Sequence, residues 1–217
     1  MQVAEVEIAG FIGRAQRRDE DTPSVLLLPG LDNSGPGHWQ SQWELLPYFR
    51  RVDFGDWATP RLHEWVPNLD RAVRESPRPL VLVAHSLGCL AATWWATLSW
   101  SEAFREKVLG ALLVAPPDVD AEDTPCRIRD FRPLPPRPLP FPSLLIASRN
   151  DPYASFARSA HMARLWGSEL IDAGKAGHIN ADSSVGEWRE GLHYLARLGG
   201  QNANFLVAEL RLRSFMA

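Results

Sequence analysis

The sequence is poor in cysteine and has no marked excess of charge of either sign. Cys89 and Cys126 are the two cysteines among 217 residues, and neither belongs to a C-x-x-C pair. This excludes a disulfide framework and favours reduced thiols in a cytoplasmic protein. The net charge is -3, and basic residues form no long cluster, so we expect no nucleic-acid partner and no anionic membrane partner.

We also expect neither a secretory signal nor a membrane-spanning segment. Residues 1–23 carry acidic residues early and lack a basic start followed by a long apolar run. The uncharged window Leu80–Leu98 approaches the ~20 residues that cross a bilayer, but His85, Ser86 and Gly88 interrupt it. LVLVA before Gly88 is typical of a buried strand and CLAATWWATL after it of a helix, so we predict a strand, a turn and a helix.

No internal repeat is visible, and short apolar runs recur with enough chain between them for a helix. Such runs predict a compact α/β fold in which a mostly parallel sheet of five or six strands is covered by helices on both faces. We expect a single domain over residues 24–198. The predicted strands are Val25–Leu28, Leu80–Ala84, Ala111–Ala115, Leu144–Ala147 and Glu169–Ile171, with a weaker one at Val52–Phe54. The predicted helices are Trp39–Leu46, His63–Glu75, Leu87–Trp100, Ser155–Trp166 and Val185–Leu198.

The segment Asp120–Pro142 differs from the rest because it is rich in proline. Seven prolines occur between Pro125 and Pro142, and each fixes φ and removes a backbone donor. We expect a stiff loop without regular structure. Two interpretations stay open, a rigid surface connection and a rim of a substrate cleft.

The strongest chemical motif is VLVAHSLGCL, Val81–Leu90. Ser86 stands in the pattern small-x-Ser-x-small, with Ala84 and Gly88 two residues before and after it. A strand that turns sharply into a helix presents such a serine above the sheet edge as a nucleophile. The alternative is an ordinary serine in a strand-to-helix turn.

A serine hydroxyl needs a base, and His178 is the histidine placed to be one. It lies late in the chain, in the glycine-flanked loop AGKAGHIN after an apolar strand. His161 and His193 fall on helical patterns with charged neighbours, which indicates surface positions. His85 is adjacent to Ser86, but its side chain is expected to point away from that of the serine.

Asp151 is the predicted acid that orients His178. It follows the strand Leu144–Ala147 and precedes Pro152, so its carboxylate is placed to hold the imidazole tautomer. Asp118 and Asp120, after the preceding strand, are the competing acids. An Asp-Pro pair is also a common turn former, which is the structural alternative for Asp151.

The glycine-rich loop LLLPGLDNSGPGHW, Leu26–Trp39, is expected to help stabilise an oxyanion. Where a serine nucleophile lies between a strand and a helix, two backbone N–H groups donate to the oxyanion. One belongs to the residue after the nucleophile, here Leu87, and the other to a loop after an early strand. Leu31 is assigned the second donor, with Asp32 as its rival. Trp39 and Trp57 lie on loops near the expected cleft and are candidates to line a substrate pocket.

Together these motifs resemble the retinoblastoma-binding-protein-9 and YdeN-like serine hydrolases, a branch of the α/β-hydrolases. The resemblance covers most of residues 24–198. It rests on the Pro-Gly loop with Trp39 and on four further motifs, DWATPRLHEW (56–65), AHSLGC (84–89), SRNDPY (148–153) and GHIN (177–180). It implies the same three residues, Ser86, Asp151 and His178, with no metal and no organic cofactor.

The most specific hypothesis is a serine hydrolase, of carboxylesterase or amidase type, that acts on a small-molecule acyl substrate. The alternatives are an acyltransferase with the same residues and a binding scaffold that keeps the fold without the chemistry. Residues 1–23 and 199–217 extend beyond the family pattern. In the second extension Leu210 and Leu212 alternate with arginines, as in a strand or a short amphipathic helix, and a homodimer formed through this tail is a hypothesis.

Overall fold

The computed structural model describes residues 22–198. This part of the chain forms six strands and five α-helices. The strands are β1 (Ser24–Leu28), β2 (Phe49–Arg51), β3 (Leu80–His85), β4 (Val108–Val114), β5 (Ser143–Ala147) and β6 (Glu169–Asp172). The helices are α1 (Trp39–Trp43), α2 (Leu62–Glu75), α3 (Leu87–Leu98), α4 (Phe156–Trp166) and α5 (Arg189–Leu198).

All six strands pair in parallel in the order β2-β1-β3-β4-β5-β6. The central strands are apolar except for Ser24, His85 and Ser143 at their ends, because both of their faces are covered. Leu26, Leu28 and Leu82 join a core with α2, α3 and α4. Val25 and Val83 point the other way, into a core with α1 and α5. The predicted α/β fold is confirmed, and parallel pairing brings the carboxyl ends of the strands to one edge.

Several boundaries differ from the sequence-based expectation. Strand β2 lies at Phe49–Arg51 rather than Val52–Phe54. Val52 and Phe54 are buried residues that follow the strand, and the two arginines before them hid its position. Helix α5 begins at Arg189 rather than Val185, after Ser184, Gly186 and Trp188 adopt positive φ.

Residues 80–98 form β3, a turn at Ser86 and α3, as predicted. Within residues 22–198, none of the helices has the length and apolar character that a membrane crossing requires. The proline-rich segment is mostly irregular, but it contains a 3-10 helix at Cys126–Phe131, which corrects the expectation of no regular structure. This turn carries no proline, since the prolines flank it.

The two predicted extensions fall almost wholly outside the described residues. Residues 1–21 and 199–217 are not described, so the strand or helix around Leu210–Arg213 and the dimer through the tail stay predictions. Cys89 is buried and Cys126 is exposed, and both are free thiols.

The turn between β3 and α3 depends on the missing side chain of Gly88. A Cβ built on Gly88 would lie 2.2 Å from the carbonyl oxygen of Leu28 and 2.7 Å from that of Pro29. Both contacts are with backbone, which a rotamer change cannot relieve. The helix and strand β1 approach this closely only because residue 88 is glycine.

We predict that Gly88→Ala lowers the free energy of unfolding by about 1–3 kcal/mol, the usual cost of overpacking. Urea unfolding followed by circular dichroism measures the change. Gly37→Ala is the matched control, because its nearest new contact would be an ordinary 3.8 Å to the Ala181 Cβ. Equal stability of the two variants would contradict this account of the turn.

Candidate active site

Ser86 occupies a strained turn at the carboxyl end of β3. Its φ of 53° and ψ of -126° lie outside the regions that non-glycine residues usually adopt. The N–H of Ser86 still donates to the carbonyl oxygen of Val114 at 2.9 Å, in continuation of the sheet ladder. The backbone then turns into α3, so the hydroxyl stands above the sheet edge.

Three side chains that are distant in sequence meet at this point. The Nε2 atom of His178 lies 2.9 Å from the Oγ of Ser86. Its Nδ1 atom lies 3.0 Å from each carboxylate oxygen of Asp151. A carboxylate only accepts, so Nδ1 carries the proton and Nε2 is free to accept the Ser86 hydroxyl hydrogen. We call the row of side chains from Asp151 through His178 to Ser86 the relay. The side chains of His178 and Asp151 are only 8% and 3% exposed, so this part of the relay is shielded from water.

The loop that carries His178 is held to the loop after β5. The N–H of Ala176 donates to the Ser148 hydroxyl at 3.0 Å, and the N–H of Gly177 donates to the Asn150 side chain at 2.8 Å. Both partners lie just before Asp151. The acid and the histidine are therefore supported by neighbouring parts of one hydrogen-bonded network.

Two further side chains, those of His85 and Trp39, hold the same loop. The Nε2 of His85 lies 2.9 Å from the carbonyl oxygen of His178. The indole N–H of Trp39 donates to the carbonyl oxygen of Ile179 at 2.8 Å. These bonds hold the backbone after the imidazole, and the bonds of Ala176 and Gly177 hold the backbone before it.

The glycine-rich loop passes directly over Ser86. A Cβ on Gly30 would lie 3.1 Å from both the Oγ of Ser86 and the backbone nitrogen of Leu87. The N–H of Asp32 donates to the carbonyl oxygen of Trp57 at 2.9 Å, so it is already engaged. Leu31, the other candidate donor, lines the cavity beside Leu87.

A cavity of about 300 Å³ opens at Ser86. The proline-rich segment contributes Pro125 and Ile128 to its wall, in agreement with the cleft-rim interpretation of that segment. The lining residues are Gly30, Leu31, Asp32, Asn33, Gly35, His38, His85, Ser86, Leu87, Pro117, Pro125, Ile128, Tyr153, His178, Asn180 and Ala181.

The two tryptophans predicted to line the pocket lie elsewhere, which corrects that assignment. Trp39 is fully buried under the sheet edge and holds the loop after His178. Trp57 packs against Phe54 and Trp65, with ring centroids 5.5 Å apart in each pair. Trp39 is covered by the core, Trp57 is partly buried against it, and neither is among the residues that line the cavity.

The competing acids do not reach His178. Arg158 forms ion pairs with Asp118 at 2.9 Å and with Asp120 at 2.8 Å. Among the described residues, no group of three His, Cys, Asp or Glu side chains is arranged to hold a metal ion.

Sequence reasoning missed the role of His38 and His85 in the cavity wall. His85 does not contact the Ser86 hydroxyl, but the centroid of its ring lies 4.9 Å from the centroid of the His178 ring. The ring of His38 follows at 4.6 Å from His85. The position of His38 before α1 was the available signal, since that helix begins at the edge where the other site loops gather.

Burial shapes the protonation of both rings. Desolvation, helped by the charges of Arg51 and His178, lowers the pKa of His38 from 6.5 to about 4. Desolvation, with His178 and His38 as secondary causes, also lowers the pKa of His85 well below its usual value. The two rings are therefore neutral at neutral pH.

Comparison with known proteins agrees with this geometry. The family model described as Serine hydrolase matches residues 25–197. The chain belongs to the serine hydrolase family. No curated protein matches it by sequence.

Among solved structures, a protein of Pectobacterium atrosepticum named as a YdeN-like hydrolase is 34% identical, with a TM-score of 0.72 over 87% of this chain and 96% of that one. The ydeN gene product of B. subtilis is 20% identical, with a TM-score of 0.57 over 74% and 90%. Esterase 2 of Thermogutta terrifontis shares the fold at 15% identity, with a TM-score of 0.60 over 82% and 83%. The predicted resemblance to YdeN-like serine hydrolases of the α/β-hydrolase superfamily is confirmed.

We predict that the stability of this serine hydrolase falls as the pH is lowered from 6.5 towards 4. In this range an unfolded chain protonates His38 while the folded chain keeps it neutral, so protons favour unfolding. At pH 4, His38 alone lowers the free energy of unfolding by an amount on the order of 3 kcal/mol. Each unit by which the pKa differs between the folded and unfolded chain corresponds to about 1.4 kcal/mol. His38→Asn should make the loss smaller, as measured by urea unfolding at pH 7 and pH 4.5.

The matched control is His161→Asn, which changes an exposed histidine on α4. It should keep the wild-type pH dependence. If His38→Asn and His161→Asn showed the same dependence, the buried ring of His38 would not be the cause of the acid sensitivity.

Proposed function

We propose that this hydrolase cleaves an ester or amide bond of a small acyl substrate through a Ser86-bound acyl-enzyme. The observation that carries the proposal is the unbroken relay from Asp151 through His178 to Ser86, with steps of 3.0 and 2.9 Å. Nucleophile, base and orienting acid are all within hydrogen-bond distance, as this chemistry needs.

Each residue has a definite part in the proposed reaction. The Oγ of Ser86 attacks the substrate carbonyl carbon while the Nε2 of His178 takes the hydroxyl proton. Asp151 holds the Nδ1–H and stabilises the imidazolium. The N–H groups of Leu87 and Leu31 are the proposed donors to the oxyanion. His178 then gives its proton to the departing alcohol or amine, and water releases the acyl group by the same steps.

The cavity favours a neutral substrate. Asp32 is the one acidic side chain outside the relay among the lining residues, and it forms an ion pair with Arg127. The Nη1 of Arg127 also donates to the Asp32 Oδ2 at 3.0 Å. A charged substrate group would therefore have no unpaired counter-charge in the wall. The volume of about 300 Å³ suits a small acyl compound.

The other predictions remain proposals. An acyltransferase would use the same residues with an alcohol or amine in place of water, and product analysis separates it from a hydrolase. A non-catalytic scaffold would not react covalently at Ser86. A cytoplasmic location and a dimer formed through residues 199–217 also stay predictions.

The first test is covalent labelling of the nucleophile. A fluorophosphonate should label the wild type on the peptide that contains Ser86, as measured by mass spectrometry, and Ser86→Ala should remain unlabelled. Ser101→Ala is the matched control, because Ser101 is exposed and its side chain caps no helix. Absence of labelling in folded wild type would favour the scaffold.

The second test concerns Asp151. Asp151→Asn should lower kcat for p-nitrophenyl butyrate by about 10⁴-fold, because the amide favours the wrong imidazole tautomer. Ser101→Ala again serves as the control, and circular dichroism checks the fold. Near-wild-type turnover by Asp151→Asn would move the orienting role to another acid.

A further inference from the structure

The cavity has two chemically different sides. Leu87 and Ile128 belong to the core on the face of α2, α3 and α4, and Leu31 packs against it. These three residues form an apolar wall. On the opposite side His38, which precedes α1, and His85 form a histidine wall. Ser86 lies between the two walls.

The tautomer of His38 is fixed by its neighbour. The N–H of Gln40 donates to the Nδ1 of His38 at 3.1 Å, so this nitrogen bears no hydrogen in the neutral ring. The hydrogen is then on Nε2. That atom is buried and has no hydrogen-bond partner among residues 22–198, and the side chain as a whole is only 5% exposed. An unpaired buried donor is costly, so its retention needs an explanation.

The tautomer of His85 is fixed in the opposite sense. A carbonyl oxygen only accepts, so the Nε2 of His85 donates to His178 and carries the ring hydrogen. Its Nδ1 is therefore an acceptor and bonds to no residue within 22–198. Because the centroids of the two rings lie 4.6 Å apart, the histidine wall holds one ring donor and one ring acceptor close together. Both rings are neutral near pH 7.

The histidine wall lies on the side from which the leaving group departs. His178 has to give its proton to the leaving atom, so that atom must lie beside the imidazole. The His85 ring is 4.9 Å from that imidazole, and His38 continues the row. The apolar wall is left for the acyl chain.

We infer that His38 and His85 bind a neutral group that both donates and accepts a hydrogen bond, such as a hydroxyl or carboxamide, on the leaving-group part of the substrate. The inference rests on the proposed hydrolytic function of Ser86. It specifies the substrate class as an apolar acyl group joined to a polar, uncharged alcohol or amine.

The kinetic test uses two esters with the same acyl group, ethyl butyrate and 2-hydroxyethyl butyrate, with released butyrate measured by titration. Wild type should prefer the hydroxyethyl ester by about ten-fold in kcat/KM, the effect of one or two hydrogen bonds. In His38→Asn the Oδ1 can still accept from the N–H of Gln40, but the donor at the former Nε2 position is lost. The preference should fall to about two-fold or less.

The ratio of kcat/KM for the two esters is compared between variants. The different chemical reactivities of the two esters then cancel. Ser101→Ala should keep the wild-type preference. His38→Gln places an amide donor near the former Nε2 position and should restore part of it. If His38→Asn lowered kcat/KM for both esters equally, the ring would have a structural role only, and the inference would be overturned.

A binding test separates this inference from the proposed function. The amides N-ethylbutyramide and N-(2-hydroxyethyl)butyramide are titrated into Ser86→Ala, which lacks the nucleophile to cleave them, and binding is followed by the NMR signals of the histidine rings. The hydroxyethyl amide should bind about five-fold more tightly and shift the His38 signals, and His38→Asn should abolish the difference. Equal binding of both amides overturns the inference. If the hydroxyethyl amide binds more tightly but the wild type hydrolyses no ester, the result counts against the hydrolytic function and not against the binding role of His38 and His85.

Discussion

The close approach of α3 to strand β1 is the constraint on which the site depends. Gly88 lies against the carbonyl oxygens of Leu28 and Pro29, and the chain reaches this contact through the positive φ of Ser86. The strain at the serine is supported by buried strands on both sides, which hold β3 and α3 in place. The same contact brings the glycine-rich loop after β1 over the hydroxyl, so one packing event places both the serine and the loop beside it.

The rest of the relay is built from loops that follow neighbouring strands. Asp151 follows β5 and His178 follows β6, and parallel pairing makes both loops leave the sheet at the same edge. Hydrogen bonds from the backbone N–H groups of Ala176 and Gly177 to the side chains of Ser148 and Asn150 then connect the two loops. The sheet sets the approximate positions, and these local bonds set the distances of about 3 Å that proton transfer needs.

The sequence predicted what depends on pattern and missed what depends on orientation. Apolar runs located β1, β3, β4 and β5, because buried parallel strands are apolar on both faces. The edge strand β6 is only partly buried, and the short pair Leu170-Ile171 was enough to locate it. Strand β2 was misplaced because its own residues include two arginines, while the apolar Val52 and Phe54 lie just beyond it. The serine, acid and histidine were predictable from chain order and flanking glycines.

Side-chain direction was not predictable in the same way. Trp39 was expected in the cleft, yet its indole turns inwards to the carbonyl oxygen of Ile179. His85 points away from the Ser86 hydroxyl, as expected, but its contact with the backbone of His178 was not predicted. Both side-chain contacts depend on the position of the loop with His178 and Ile179, which lies 90 or more residues later in the chain. No local sequence pattern around Trp39 or His85 predicts the position of that loop.

The origin of the cleft walls has a consequence for how this enzyme family can diversify. Ile128 and Pro125 come from a proline-flanked turn that adds no strand to the sheet and is joined to the glycine-rich loop by Arg127 and Asp32. Its apolar residues can change in size without altering any backbone pairing in the sheet. Under the proposed function, the length of acyl chain that fits is thus encoded separately from the residues that cleave the bond.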